Sequence, residues 1–104
     1  MPQFGVYVNS NTRTKDSVPY LLDVQSDLLD SLATRVVIPL IEISKTSKPI
    51  TRLNPIFEIG ESSVVLSTQE LAGVPSNVLG AFVVSLREHR SDIVNALDLL
   101  LTGV

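Results

Sequence analysis

Along most of this chain apolar residues recur at every second position, and only near its end do they change to helical spacing. In residues 3–9, Phe4, Val6 and Val8 point one way and Gln3, Gly5, Tyr7 and Asn9 the other, the mark of a half-buried strand. Residues 20–24 read as a second strand. Residues 35–43 read as a third, apolar enough to be covered on both faces. Pro39 interrupts that third run and cannot donate a ladder hydrogen bond, so a bulge or an edge is expected there. Residues 56–59 and 63–67 form strands joined across Gly60-Glu61, a tight turn in which glycine accepts positive φ. Residues 71–78, broken by Gly73 and Pro75, are ambiguous. Farther on, Leu86, Ile93, Ala96, Leu97, Leu100 and Leu101 fall on one face at helical spacing. Ser85 with Glu88 makes a capping-box pattern, and Gly103 is placed to stop the helix in left-handed geometry. These periods predict a mainly β protein with a C-terminal α-helix.

At 104 residues, 44% of them hydrophobic, the chain is expected to form one domain over 1–104 around a single core. Residues 9–18 are polar and read as a mobile surface loop. Residues 44–55, with Pro49 and Pro55, read as an irregular connection that forms a short projecting hairpin. The net charge of −3 offers no overall positive field for nucleic acid, and the local basic stretch 45–52 reads as a solvated loop. Met1-Pro2-Gln3 lacks the basic head and apolar stretch of a signal peptide, and no apolar run approaches the roughly 20 residues needed to span a bilayer. A cytoplasmic protein that binds neither membrane nor nucleic acid directly is the expectation.

A search for catalytic chemistry returns nothing. With no cysteine, thiolate chemistry and disulfides are excluded. His89 is the single histidine, set between Glu88 and Arg90 without a positioned partner, and cannot complete a common zinc set. Asp23, Asp27 and Asp30 lack the alternating ligands and central glycine of a calcium loop, and read as solvated turn carboxylates. The five glycines form no phosphate loop, and three Phe with two Tyr make no base-stacking platform. The expectation is a protein that is not an enzyme, needs no metal or cofactor and works by binding.

Residues 23–30, Asp-Val-Gln-Ser-Asp-Leu-Leu-Asp, join two strand-like runs through an acidic turn that carries Leu28 and Leu29. Ser26, Asp27, Asp30 and Ser31 favour turns because their side chains bond nearby backbone groups. An apolar pair in such a turn either tucks under a sheet edge or meets a partner. On the last helix the polar face carries Arg87, Ser91, Asn95, Asp98 and Thr102 and runs straight to the C-terminus. Taken alone, that stripe reads as a solvated helix face.

The order of these segments resembles the CcdB family of DNA-gyrase-poisoning toxins. The similarity runs through Phe4-Gly-Val-Tyr7, Asp23-Val-Gln-Ser-Asp27, Arg35-Val-Val-Ile-Pro-Leu40, Ile59-Gly60, Val74-Pro75, Gly80, Asp92-Ile93, Asn95-Ala96 and Gly103 at near-constant spacing. It implies a small SH3-like, CcdB-type antiparallel β-barrel with a projecting β wing and a C-terminal helix, assembled as a homodimer. It implies binding to the A subunit of DNA gyrase, trapping of the enzyme on cleaved DNA, and neutralisation by a CcdA-like antitoxin through a disordered segment that folds on binding. Carried over by position, gyrase contacts fall on Thr102, Gly103 and Val104 at the tail, Ser91, Asn95 and Asp98 on the helix, and Leu28 and Leu29 in the turn. Antitoxin contacts fall on the region of Arg13, Lys15 and Tyr20. The family's best-known members end in Trp-Gly-Ile, whose indole stacks on a gyrase arginine. Thr102 stands in its place, and loss of a cation–π contact costs ~1–2 kcal/mol, roughly tenfold in affinity. Two other readings compete: a gyrase-inactive dimeric homologue acting as an adaptor, and an endoribonuclease toxin of the MazF/Kid type.

Overall fold

Val6, Leu22, Ile38 and Leu40, on successive strands, all face one side of a curled antiparallel sheet and meet Ile93 of the helix there. A computed structural model describes residues 2–103. Its strands are β1 (Gly5–Asn9), β2 (Tyr20–Asp23), β3 (Thr34–Glu42), β4 (Ile56–Ile59), β5 (Ser62–Leu66), β6 (Ala72–Pro75) and β7 (Leu79–Ser85), followed by helix α1 (Arg90–Thr102). The sheet order is β4-β5-β3-β2-β1-β7, with β6 pairing β3. The path does not close, because its end strands β4 and β7 do not pair, so the sheet is a half-barrel.

Strand β1 shows why the period of two was so informative. Val6 enters the larger cluster beside Phe4, which precedes the strand with a left-handed φ of 68°, while Tyr7 on the opposite face joins Leu21, Val37 and Leu79 in a second one. Val8 departs from the alternation and is exposed, at a point where the pairing of β1 with β7 shifts register. Leu22 lies opposite Ile38 in the β2–β3 ladder, so the register puts both on the helix side.

Several expectations are corrected. Pro39 makes neither bulge nor edge. It sits where the neighbour of β3 changes from β6, whose first residue Ala72 lies opposite Val37, to β5, whose last residue Leu66 lies opposite Leu40. Its carbonyl accepts from Ser67 N at 2.9 Å on that side, so the donor it lacks would have faced the same break in the ladder. Residues 44–55 form no hairpin. They are turns held by Asn54, whose N–H donates to Ile50 O and whose Oδ1 accepts from Ile50 N. The three-stranded flank made by β4, β5 and the end of β3 is continuous with the main sheet, and its Phe57, Ile59 and Val64 pack into the main core. Residues 10–18 are stapled by Asn9, whose Nδ2 donates to Thr14 Oγ1 and Val18 O at 2.9 Å each.

The helix starts later than the capping-box pattern predicts. Ser85 ends β7, and its hydroxyl accepts from Arg87 N in the connecting 3-10 turn. Leu86 is buried, but in that connection and not on the helix. The stretch before it, unassigned from the sequence, is strand β7. Gly80 lets this strand approach β1 closely, since a Cβ there would stand 2.9 Å from Val8 O. Ile93 and Ala96 are the fully buried anchors of α1, whereas Leu101 is 72% exposed. At about 100° per residue Leu101 lies some 80° from Ile93, between Leu97 and Val94, which both pack on the core, so its exposure comes from its place in the last turn of the helix. Gly60 and Gly103 adopt the left-handed φ values of 61° and 75° that their turn and helix-stop roles demand.

Candidate surface for partner binding

The helix brings its polar stripe together as expected. Ser91, Asn95, Asp98 and Thr102 are all exposed, successive turns of one face. At the tip, Thr102 Oγ1 donates back to Asp98 O at 2.7 Å, which leaves the hydroxyl oxygen to accept from a partner. Gly103 N donates to Leu99 O at 3.1 Å, and Gly103 itself is exposed with nothing within 4 Å of where a Cβ would sit. Val104 lies outside the described residues. Leu101, assigned to the core face from the sequence, instead adds an apolar surface beside Thr102.

Asn95 and Asp92 also border a groove of about 360 Å³ whose far side is Arg52, Pro55 and Ile56. Arg52 was not singled out in the sequence. It holds a left-handed φ of 72°, uncommon for a residue with a side chain, and is exposed. The groove therefore adds a cation and an exposed isoleucine beside the helix face.

Leu28 and Leu29 do not tuck under a sheet edge. They belong to a 3-10 turn, Asp27–Leu29, and are 93% and 49% exposed. Ser26 opens this turn by accepting from Leu28 N at 3.2 Å, the local bonding expected of serine in a turn. Asp27 Oδ1 accepts from Gln3 N at 2.8 Å and ties the turn to the start of β1.

The acidic residues beside it are not all solvated. Asp23 is fully buried and accepts on Oδ2 from Arg35 NH2 at 2.6 Å and Nε at 3.1 Å, and on Oδ1 from Gln25 N at 3.0 Å. Arg35, 1% exposed, reaches on to Asp30 Oδ1 at 2.9 Å. Burial pushes the Asp23 carboxyl up from its ordinary value, while Arg35 and the Gln25 N–H pull it back. Burial and the nearby Asp23 charge likewise raise the Tyr7 phenol. This buried pair escaped sequence reasoning. Its signal is the register: with Asp23 opposite Val37, Arg35 is the diagonal neighbour of Asp23 on the same face.

The three residues Arg13, Lys15 and Tyr20 are less alike than expected. Arg13 and Lys15 are exposed in the stapled loop, but Tyr20 is half-buried against the main core. His89 is exposed, and its ring lies 5.1 Å from that of Phe57. Among the described residues no group of three or more His, Cys, Asp or Glu side chains is placed to hold a metal ion. No helix among them is long and apolar enough to cross a membrane.

The family model described as CcdB protein matches residues 3–103. The chain belongs to the CcdB family. It is thus related to the toxins of toxin–antitoxin pairs, as the resemblance in its segments implied. The CcdB-type fold also extends beyond close sequence likeness. A solved structure described as an endoribonuclease in complex with its cognate antitoxin, from a mycobacterial species, superposes with a TM-score of 0.73 at 15% identity, over 97% of this chain and 95% of that one. At that identity the likeness establishes the shared fold.

Proposed function

We propose that this protein is a toxin that docks on the A subunit of DNA gyrase and holds the enzyme on cleaved DNA, acting by binding and not by turnover. The observation that carries this reading is the helix tip. The family's docking tripeptide falls on Thr102, Gly103 and Val104, and Thr102 and Gly103 stand exposed past the last buried residue of α1. Asn95, Asp98 and Ser91 extend the same face with hydrogen-bonding groups, and Gly103, lacking a side chain, permits close backbone approach. Leu28 and Leu29 supply apolar contact from the acidic turn. In the same reading the protein is a cytoplasmic homodimer, whose two-fold symmetry matches that of the gyrase A dimer. Its exposed Phe82, Val83 and Val84 on the end strand β7 offer surface for a second protomer. An antitoxin with a disordered segment neutralises it, with Arg13 and Lys15 among the contacts and Tyr20 contributing its accessible part.

The test is plasmid cleavage by gyrase in the presence of the purified protein. Accumulated linear DNA supports the reading, and its complete absence with a folded protein rejects it. One observation favours a second reading, the shared fold with a protein named as an endoribonuclease. In that case His89 is the acid–base group to examine, and RNA cleavage lost in His89→Ala identifies it.

A further inference from the structure

The turn that presents Leu28 and Leu29 is held from below by a charge that never reaches solvent. We propose that Arg35 is a positioning residue, which fixes this turn as a preformed docking knob. The inference rests on the gyrase-docking reading of Leu28 and Leu29 and deepens it.

Arg35 is anchored at its inner side by Asp23, which is 0% exposed, through Nε and NH2. Its NH1 extends to Asp30, which is 52% exposed and closes the 3-10 turn as its C-terminal cap. A planar guanidinium has donors on two edges and can bridge two carboxylates at once, which an ammonium on a flexible stem does poorly. A second buried side chain works in parallel. Gln25 Nε2 donates to Leu29 O at 2.9 Å while its Oε1 accepts from Val36 N at 3.0 Å, so the turn backbone is tied to strand β3. With Leu29 N bonded to Ser26 O and Asp30 N to Asp27 O, the turn is fixed both internally and to the sheet.

The outcome is a leucine 93% exposed on a tightly bonded turn, an arrangement that hydrophobic burial alone would not produce. Exposed Asp27 flanks the pair, so its complement is an apolar socket with a cationic group on its rim. Preorganisation raises affinity because the ordering cost is met before the partner arrives. If releasing the clamp leaves the turn in its docking geometry about a tenth of the time, the apparent dissociation constant rises about tenfold.

Arg35 variants risk unfolding the protein, so the decisive variant is Asp30→Ala, which cuts the tie at its exposed end and keeps the Asp23–Arg35 pair. The expected results are faster amide hydrogen exchange at Leu29 and Leu32, a melting temperature changed by no more than a few degrees, and binding to the gyrase A dimerisation domain weakened about tenfold. In a Leu28→Ala, Leu29→Ala background the same substitution should weaken binding no further, since no knob remains to be positioned. Unchanged exchange or unchanged affinity overturns the proposal. An equal further loss in the double-alanine background also overturns it, because Asp30 would then touch the partner directly. Failure of the wild type to bind at all rejects the gyrase reading and the docking role with it, a result separate from a binding wild type whose turn is indifferent to Asp30.

Discussion

Replacing Arg35 by methionine removes the cation buried with Asp23 and keeps a long apolar side chain in its space. Asp23 Oδ2 loses two charged donors, at 2.6 and 3.1 Å, and keeps the Gln25 N–H on Oδ1. A hydrogen bond to a charged group contributes about 1.5–3 kcal/mol, and breaking one side of a buried ion pair costs about 3–5 kcal/mol. Since a domain of this size is stable by about 5–15 kcal/mol, the variant should lose a large share of its stability near neutral pH. Burial already raises the Asp23 carboxyl, and without Arg35 it rises further. The folded state then holds the proton more tightly than the unfolded state does. The stability this contributes is present below the ordinary value of 3.8 and is lost as pH climbs through the raised folded value. The deficit of Arg35→Met should therefore be smaller near pH 4 than near pH 7.5. Urea midpoints followed by circular dichroism at both pH values, at one fixed protomer concentration, measure it. With a slope of about 1–3 kcal/mol per molar urea, the midpoint near neutrality should fall by about 2 M. Adding Asp23→Leu should restore most of the loss, because an apolar pair of similar volume replaces a buried ion pair at little cost. A loss below about 1 kcal/mol at pH 7.5, or an equal loss at both pH values, refutes this account of the buried pair.

Two predictions concern the tail. Removing residues 102–104 should abolish gyrase poisoning while changing stability by less than about 1 kcal/mol, as read by a cleavage assay and a urea melt, because the last fully buried residue of α1 is Ala96. A large loss of stability would mean that the tail is structural. Thr102→Trp should tighten gyrase binding roughly tenfold in a titration, since a cation–π contact is worth ~1–2 kcal/mol, and unchanged affinity would show that position 102 meets no cation.

Much of the fold was legible because its strands obey a simple period. Val6 and Tyr7 divide between two clusters as alternation requires, and Gly60 and Gly103 stand where positive φ is needed. Strand β7 was missed because Ala81, Phe82, Val83 and Val84 do not alternate with polar residues, and because Ser85 and Glu88 imitate a helix start. A run of β-branched and aromatic residues after Gly80 was the available signal. The Asp23–Arg35 pair was hidden for a different reason. Charged residues read as surface unless a register places them across from one another, and that register is a tertiary fact. The helix stripe and the turn leucines were visible as residue types, but their exposure depended on what the rest of the chain left uncovered. Arg52 gained its place beside Asn95 only through the folding of residues 44–55.

The most direct test of the docking surface is a titration of the folded protein against the gyrase A dimerisation domain, repeated without residues 102–104. The account predicts saturable binding by the full chain, with one toxin dimer per gyrase A dimer, and none by the shortened one. No binding by the full chain up to about 100 μM, corresponding to less than about 5.5 kcal/mol, would contradict it.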